Sequence, residues 1–266
     1  MEAGHSALTQ FTAGAIEARY ETDHDPVTPA DRVVDDVLRK ILLRKGEGWL
    51  SEESLDEPGR LTKSRVWLVD PIDGTREFVA GIPEFCIAVA MVEDGRAIAG
   101  GICNPATEEL FLGSVGSGVT YNGKPAGPTS TKRLAEALVL ASRSEVKRGE
   151  WTRFSGAGFR IQPMGSVAYK LARVAAGFAD VTFTLSPKHE WDVAAGVALV
   201  NAAGGFVCAL DASPLGFNLK NPLLTGLMAG NSHLRDELLS LLEIRDRLNS
   251  RETGSSKFSS AMISEF

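Results

Sequence analysis

At 266 residues with 44% hydrophobic side chains, the chain is long enough for one large domain or two small ones and for a substantial core. A net charge of −6 argues against a protein that coats nucleic acid, and no apolar run reaches membrane-spanning length. Three widely spaced cysteines in apolar segments, Cys86, Cys103 and Cys208, make neither a disulfide framework nor a zinc site; with no basic-then-apolar leader pattern, they set the expectation of a reducing cytoplasm.

In chain order, Leu8 to Tyr20 reads as a short amphipathic helix. A second helix is predicted from Thr28 to about Arg44, with Thr28 as N-cap, Pro29 in the first helical position and Asp31 in the first turn. Trp49-Leu50-Ser51 is an apolar segment ending in Glu52 and Glu53. Val66 to Val69 reads as a buried strand, and Pro71, lacking an N–H for a ladder, is expected to end it. Up to Tyr121, turn signals at Asp94-Gly95, Asn104-Pro105 and Asn122-Gly123 alternate with runs such as Phe85 to Val92 and Ile98 to Cys103, which predicts an antiparallel meander. After a connector at Gly127 to Thr131, strands and helices alternate: strands at Leu138–Ala141, Val181–Leu185 and Phe206–Leu210, helices at Val167–Ala176, Val193–Ala203 and Ser232–Arg247. The expected division is 1–128, an α+β half with an antiparallel sheet; 129–248, an α/β half; and 249–266, a polar, Ser-rich flexible tail.

The most informative stretch is Trp67-Leu68-Val69-Asp70-Pro71-Ile72-Asp73-Gly74-Thr75. Two carboxylates at the rim of an apolar strand repel one another unless a cation sits between them. Oxygen ligands without His or Cys suit Mg²⁺, Mn²⁺ or Ca²⁺ rather than zinc. Gly74 lets backbone approach a ligand closely, and the N–H groups that follow can open a helix toward a phosphate. A hydroxyl near a carboxylate, as with Thr75 and Asp31, can hold and deprotonate a water, although Asp31 also reads as a capping partner of Thr28. Asp192, opening a small-residue helix, reads as an N-cap, a metal ligand or both. Gly165-Ser166 supplies a second helix start able to meet an anion. Ser142-Arg143-Ser144 follows a strand end, where open α/β sheets bind ligands; Arg143 reads either as a partner for a second phosphate or as a solvated arginine. Lys170 and Lys188 read as surface charges or, second, as substrate contacts.

These segments resemble the inositol monophosphatase superfamily of Mg²⁺-dependent, lithium-sensitive phosphatases, over roughly residues 5 to 242. The family pattern W-[ILV]-[ILV]-D-P-[IL]-D-G-T is matched by Trp67 to Thr75, and W-D-x-A-A-G by Trp191 to Gly196. Glu52-Glu53 and Val27-Thr28-Pro29-Ala30-Asp31 stand in the order the family requires. The resemblance implies a layered α-β-α-β-α sandwich of the inositol monophosphatase / fructose-1,6-bisphosphatase type. It implies two Mg²⁺ ions, with a third left open, held by Glu52, Asp70, Asp73, Asp192 and the Ile72 carbonyl. It further implies water activation by Thr75 and Asp31, a phosphate cradle at Gly74 and Thr75, and substrate contacts at Ser142, Arg143, Gly165 and Ser166.

Within the superfamily, Leu50 to Glu53, Asp73 to Phe78, Ala141 to Ser144 and Gly165-Ser166 with Lys170 look most like the bacterial 3'(2'),5'-bisphosphate nucleotidase branch. The expected reaction is therefore Mg²⁺-dependent hydrolysis of the 3'(2')-phosphate of adenosine 3',5'-bisphosphate. The alternatives are an inositol-1-monophosphatase or broad sugar phosphate phosphatase and, in another class, a non-catalytic regulatory protein. The expected partner is a small phosphorylated substrate, with no nucleic acid and no membrane; a homodimer is compatible with the family. One departure is visible: only Glu21 to Asp25 stands where the family has a β-hairpin with a lysine-containing loop, which puts the third ion in doubt. Haloacid-dehalogenase-type phosphatases carry D-x-D-G-T, but here the acids are three positions apart. The calcium-loop pattern D-x-D-x-D-G is absent.

Overall fold

A computed structural model describes residues 19–22 and 25–242. The strands β1 (Arg19–Thr22) and β2 (Asp25–Val27) pair as an antiparallel hairpin. The helix expected over Leu8 to Tyr20 lies mostly outside the described residues, and its last two positions, Arg19 and Tyr20, are strand. The segment expected to be shortened before Pro26 is thus a hairpin, with only positions 23 and 24 between its strands. Tyr20 and Thr22 favour extended backbone, and Pro26 is tolerated in a strand with an unpaired edge.

Helix α1 (Pro29–Leu42) starts as the sequence dictates. Thr28 accepts from the Ala30 N–H, and Asp31 Oδ2 accepts from the Thr28 N–H at 2.7 Å and the Thr28 hydroxyl at 2.6 Å, a capping box. The helix stops at Leu42, two residues before the expected Arg44, because Leu43 is already extended.

A seven-stranded sheet follows: β3 (Gly48–Ser51), β4 (Arg65–Asp73), β5 (Cys86–Glu93), β6 (Arg96–Asn104), β7 (Glu109–Ser114), β8 (Gly118–Tyr121) and β9 (Lys124–Ala126), in that spatial order. The meander from β4 to β9 is antiparallel as predicted, while β3 joins it parallel to β4. β4 does not end at Pro71. It continues to Asp73 across a register shift between Asp70 and Asp73, and that irregularity absorbs the missing proline N–H. The short helix α2 (Thr75–Val79) follows β4 directly.

The second sheet has the order β11-β10-β12-β16-β14, from β10 (Leu138–Ser142), β11 (Arg160–Met164), β12 (Val181–Thr184), β14 (Phe206–Cys208) and β16 (Leu227–Gly230). β12 and β14 end one and two residues before the expected Leu185 and Leu210. A two-residue pair, β13 (Lys188–His189) with β15 (Leu223–Leu224), lies outside both sheets. The helices of this half are α3 (Arg143–Lys147), α4 (Val167–Ala175), α5 (Glu190–Ala202) and α6, residues 235–242. A 3₁₀ turn at Ser232–Leu234 precedes α6, where the sequence predicted α-helix from Ser232.

The layering follows from side-chain alternation. Along β4, Val66 and Leu68 enter the central core with α4 and α5, whereas Trp67 and Val69 pack toward α1 with Val34 and Leu38. The outer face of the second sheet packs Val139, Val181 and Phe183 against Trp151, Phe154 and Leu238 of α6. The result is α1, sheet, α4 with α5, sheet, α6: the expected layered α-β-α-β-α architecture. α5 can occupy the middle because it is apolar on nearly every side.

Candidate active site

The ends of β3 and β4 and the start of α5 converge at one end of the layers. Glu52 follows β3, Asp70 lies near the end of β4, and Asp192 sits in the first turn of α5. One carboxylate oxygen from each lies within 4.8 Å of the other two. Asp70 is 1% exposed, and its Oδ1 has no hydrogen-bond partner among the described residues. Burial pushes the Asp70 carboxyl well above its ordinary range, and the charges of Glu52, Asp73, Asp192 and Asp31 add to that. A buried, unpartnered carboxylate oxygen facing two other acids is an unfavourable arrangement that a small divalent cation relieves. The donors are all oxygen, and the set fits Mg²⁺.

Asp73 stands apart from this trio. Its Oδ2 accepts from the Ser166 hydroxyl at 2.6 Å and from the Ala168 N–H at 2.6 Å, both at the start of α4. The helix starts at Glu190, not at the expected Val193, so His189 is the N-cap and Asp192 is the third helical residue rather than the N-cap; its Oδ2 accepts from the His189 N–H at 3.0 Å, which closes a capping box while Asp192 belongs to the acidic trio. The Ile72 carbonyl accepts from the Thr75 hydroxyl at 2.9 Å. Gly74 has φ of 98°, and a Cβ there would lie 2.9 Å from the Glu84 carbonyl oxygen, so the chain can turn into α2 only through glycine. Asp31 is buried behind the floor rather than lining the cleft, with its carboxylate engaged by Thr28.

Above the acids opens a cleft of about 280 Å³. Ser142, Arg143, Gly165 and Ser166, the expected substrate contacts, all line it, but each is already engaged. Ser142 caps α3. Arg143 bonds the Glu84 carboxylate, with Glu77 at 3.9 Å, so it is committed to acidic partners while its side chain stays 39% exposed. The Gly165 N–H donates to Glu84 Oε2 at 2.8 Å.

Lys170, read from sequence as a surface charge, is 4% exposed and lines the cleft. Its Nζ donates to the Ser166 carbonyl at 2.8 Å, and burial lowers its pKa to about 8. Lys188 lines the cleft too, half-buried. Sequence reasoning also missed Glu84, which holds both Arg143 and Gly165. A signal existed for Lys170, because it lies four positions after Ser166 and so on the face of α4 that the N-cap presents. None existed for Glu84, which lies in an irregular segment.

An acidic, cation-competent floor under a cleft between two sheets, reached by a tight glycine turn, defines a site for phosphate chemistry. The chain belongs to the inositol monophosphatase family, whose model matches residues 2–246. Members of that family are phosphomonoester hydrolases that generally use Mg²⁺, and this chain is such a hydrolase. Inositol monophosphatase 3 of Solanum lycopersicum is 31% identical over 271 residues, covering 90% of this chain and 99% of the relative. The solved structure of a Thermotoga maritima IMPase matches with a TM-score of 0.78 at 28% identity, covering 91% of this chain and 92% of that one. CysQ of Bacteroides thetaiotaomicron, described as a bacterial member of the family, matches with a TM-score of 0.70 at 26% identity, over 86% and 93% of the two chains. No helix among the described residues is long and apolar enough to cross a membrane.

Proposed function

We propose that the chain hydrolyses the 3'(2')-phosphate of adenosine 3',5'-bisphosphate. The observation that carries this reading is Lys170, a cation buried in the cleft wall beside Lys188 and Arg143. Once the acidic floor is neutralised, Lys170 and Lys188 leave this wall positive even though Arg143 is paired with Glu84, which suits a substrate with a second anionic group. Glu52, Asp70 and Asp192, with Asp73 and the Ile72 carbonyl, would hold Mg²⁺, two ions in this reading. Bound there, Mg²⁺ supplies charge stabilisation for the phosphoryl oxygens and lowers the pKa of water.

The chain's own groups do the rest. The N–H groups of Gly74 and Thr75 donate to the scissile phosphate. Asp31 lies behind the floor with its carboxylate on Thr28, so in this reading it takes the proton lost by the attacking water only through the Thr75 hydroxyl, which would turn from the Ile72 carbonyl to relay it. Lys170 and Lys188 orient the second phosphate.

A second reading, inositol-1-monophosphatase, is supported by the names of relatives and by the commitment of Arg143 to Glu84. Initial rates on adenosine 3',5'-bisphosphate and inositol-1-phosphate, in Mg²⁺ and in excess EDTA, separate the two. The expected result is kcat/KM at least about tenfold higher for the bisphosphate, with activity lost in EDTA. A preference for inositol-1-phosphate moves the chain to the second reading, and full activity in EDTA removes the metal mechanism from both.

A further inference from the structure

Ser166 stands at the joint between the two halves of the site. It is 7% exposed and adopts a left-handed backbone with φ of 55°, a conformation a residue with a Cβ keeps only when its surroundings enforce it. Those surroundings are specific. The preceding Gly165 has no space for a Cβ, which would lie 2.5 Å from the Glu77 carboxyl carbon. Its N–H is held by Glu84. The Ser166 oxygen accepts from the Tyr169 N–H at 3.0 Å, and Cys86 Sγ lies 3.3 Å away. A hydroxyl has one proton to donate. At 2.6 Å from Asp73 Oδ2, the Ser166 proton is directed to that carboxylate, and the Ala168 N–H saturates the same oxygen.

We infer that Ser166 is a positioning residue for Asp73 rather than a substrate contact: with Ala168 it fixes one carboxylate oxygen on α4 and leaves the other to face a cation. This rests on the reading of Asp73 as a Mg²⁺ ligand. It also gives the strained backbone a purpose. The left-handed turn lets one side chain cap α4 through Tyr169 and reach back to Asp73 at the same time.

Calorimetric titration of the full chain with Mg²⁺ alone, without substrate, tests the assignment. Wild type, Ser166→Ala, Ser166→Gly and Asp73→Asn are compared, with inorganic phosphate titrated separately at saturating Mg²⁺. Glycine accepts the φ of 55° without strain, so Ser166→Gly removes the hydroxyl even if Ser166→Ala folds poorly. Both Ser166 variants are expected to bind Mg²⁺ about ten- to a hundredfold more weakly, as for loss of a group that orients a metal ligand. Phosphate affinity should stay near wild type. If Asp73→Asn weakens Mg²⁺ binding but the Ser166 variants do not, the positioning role is overturned and the ligand reading stands. If Asp73→Asn binds Mg²⁺ as wild type does, the ligand reading falls and the positioning role falls with it. If the Ser166 variants lose phosphate affinity and keep Mg²⁺ affinity, Ser166 is a substrate contact and the inference is wrong.

Discussion

Asp192 shows how one carboxylate serves two purposes. It completes the capping box of α5 through the His189 N–H and belongs to the acidic trio. An asparagine carbonyl can accept the same His189 N–H, so Asp192→Asn should leave the fold intact. In excess EDTA the variant should melt slightly higher than wild type, because one of the charges that raise the Asp70 carboxyl is gone. Phosphatase activity in Mg²⁺ should fall by about a hundredfold or more. Near wild-type turnover would reduce Asp192 to a cap. Lys170 makes the complementary case. Lys170→Met keeps the length of the buried side chain and removes its charge; it should lower kcat/KM for adenosine 3',5'-bisphosphate by about ten- to a hundredfold, the size of a lost charge-assisted hydrogen bond. Inositol-1-phosphate turnover, measured in parallel, should change far less; equal losses on both would mark a structural role. The acidic trio was legible in the sequence because each acid follows or opens an apolar segment. The commitment of Arg143 to Glu84 was not, because that pairing brings together an irregular segment and a strand end distant in sequence.

At the scale of elements, the legible parts were those with strong local signals. The start of α1 followed from Thr28, Pro29 and Asp31, and the meander from its Asn-Gly and Asp-Gly turns. The strands that escaped had weak signals. β11, Arg-Ile-Gln-Pro-Met, is a largely exposed edge strand containing proline, and β16, Leu-Met-Ala-Gly, has no β-branched residue. Both exist because their partners in the second sheet recruit them. The middle layer makes its own prediction. A Cβ on Gly100 of β6 would lie 2.3 Å from the Ala195 carbonyl oxygen of α5, whereas one on Gly196 would meet the Leu171 side chain at 2.4 Å. Neither atom can move without its helix: the carbonyl belongs to the α5 backbone, and the nearest leucine atom is the Cβ, which no rotamer change displaces. Gly100→Ala and Gly196→Ala should therefore each destabilise by about 1–3 kcal/mol or more in urea unfolding. A change near zero in either variant would mean that the layers part to admit a methyl group at little cost.

Across the whole molecule, the buried floor links stability to pH and to Mg²⁺. The Asp70 carboxyl is raised in the folded chain above its ordinary 3.8, so the metal-free fold binds a proton that the unfolded chain has released. Stability in EDTA should fall as pH rises from about 4 through the folded pKa of Asp70. Lys170, lowered to about 8 from 10.5, acts in the opposite sense above pH 8, so the comparison belongs below that value. Mg²⁺ competes with the proton, and its gain in melting temperature should grow between about pH 5 and pH 7.5. A gain independent of pH would mean that the ion binds away from Asp70.

The trio also has a consequence for how the chain assembles. Glu52 and Asp70 belong to neighbouring parallel strands of the first sheet and the loop after them, but Asp192 arrives on α5, a helix more than a hundred residues later that must dock on that sheet. A chain in which α5 has not yet docked presents two of the three carboxylates and should capture the ion feebly. Tight Mg²⁺ binding is then expected to report that docking: its appearance in a stopped-flow refolding experiment should trail the formation of the meander.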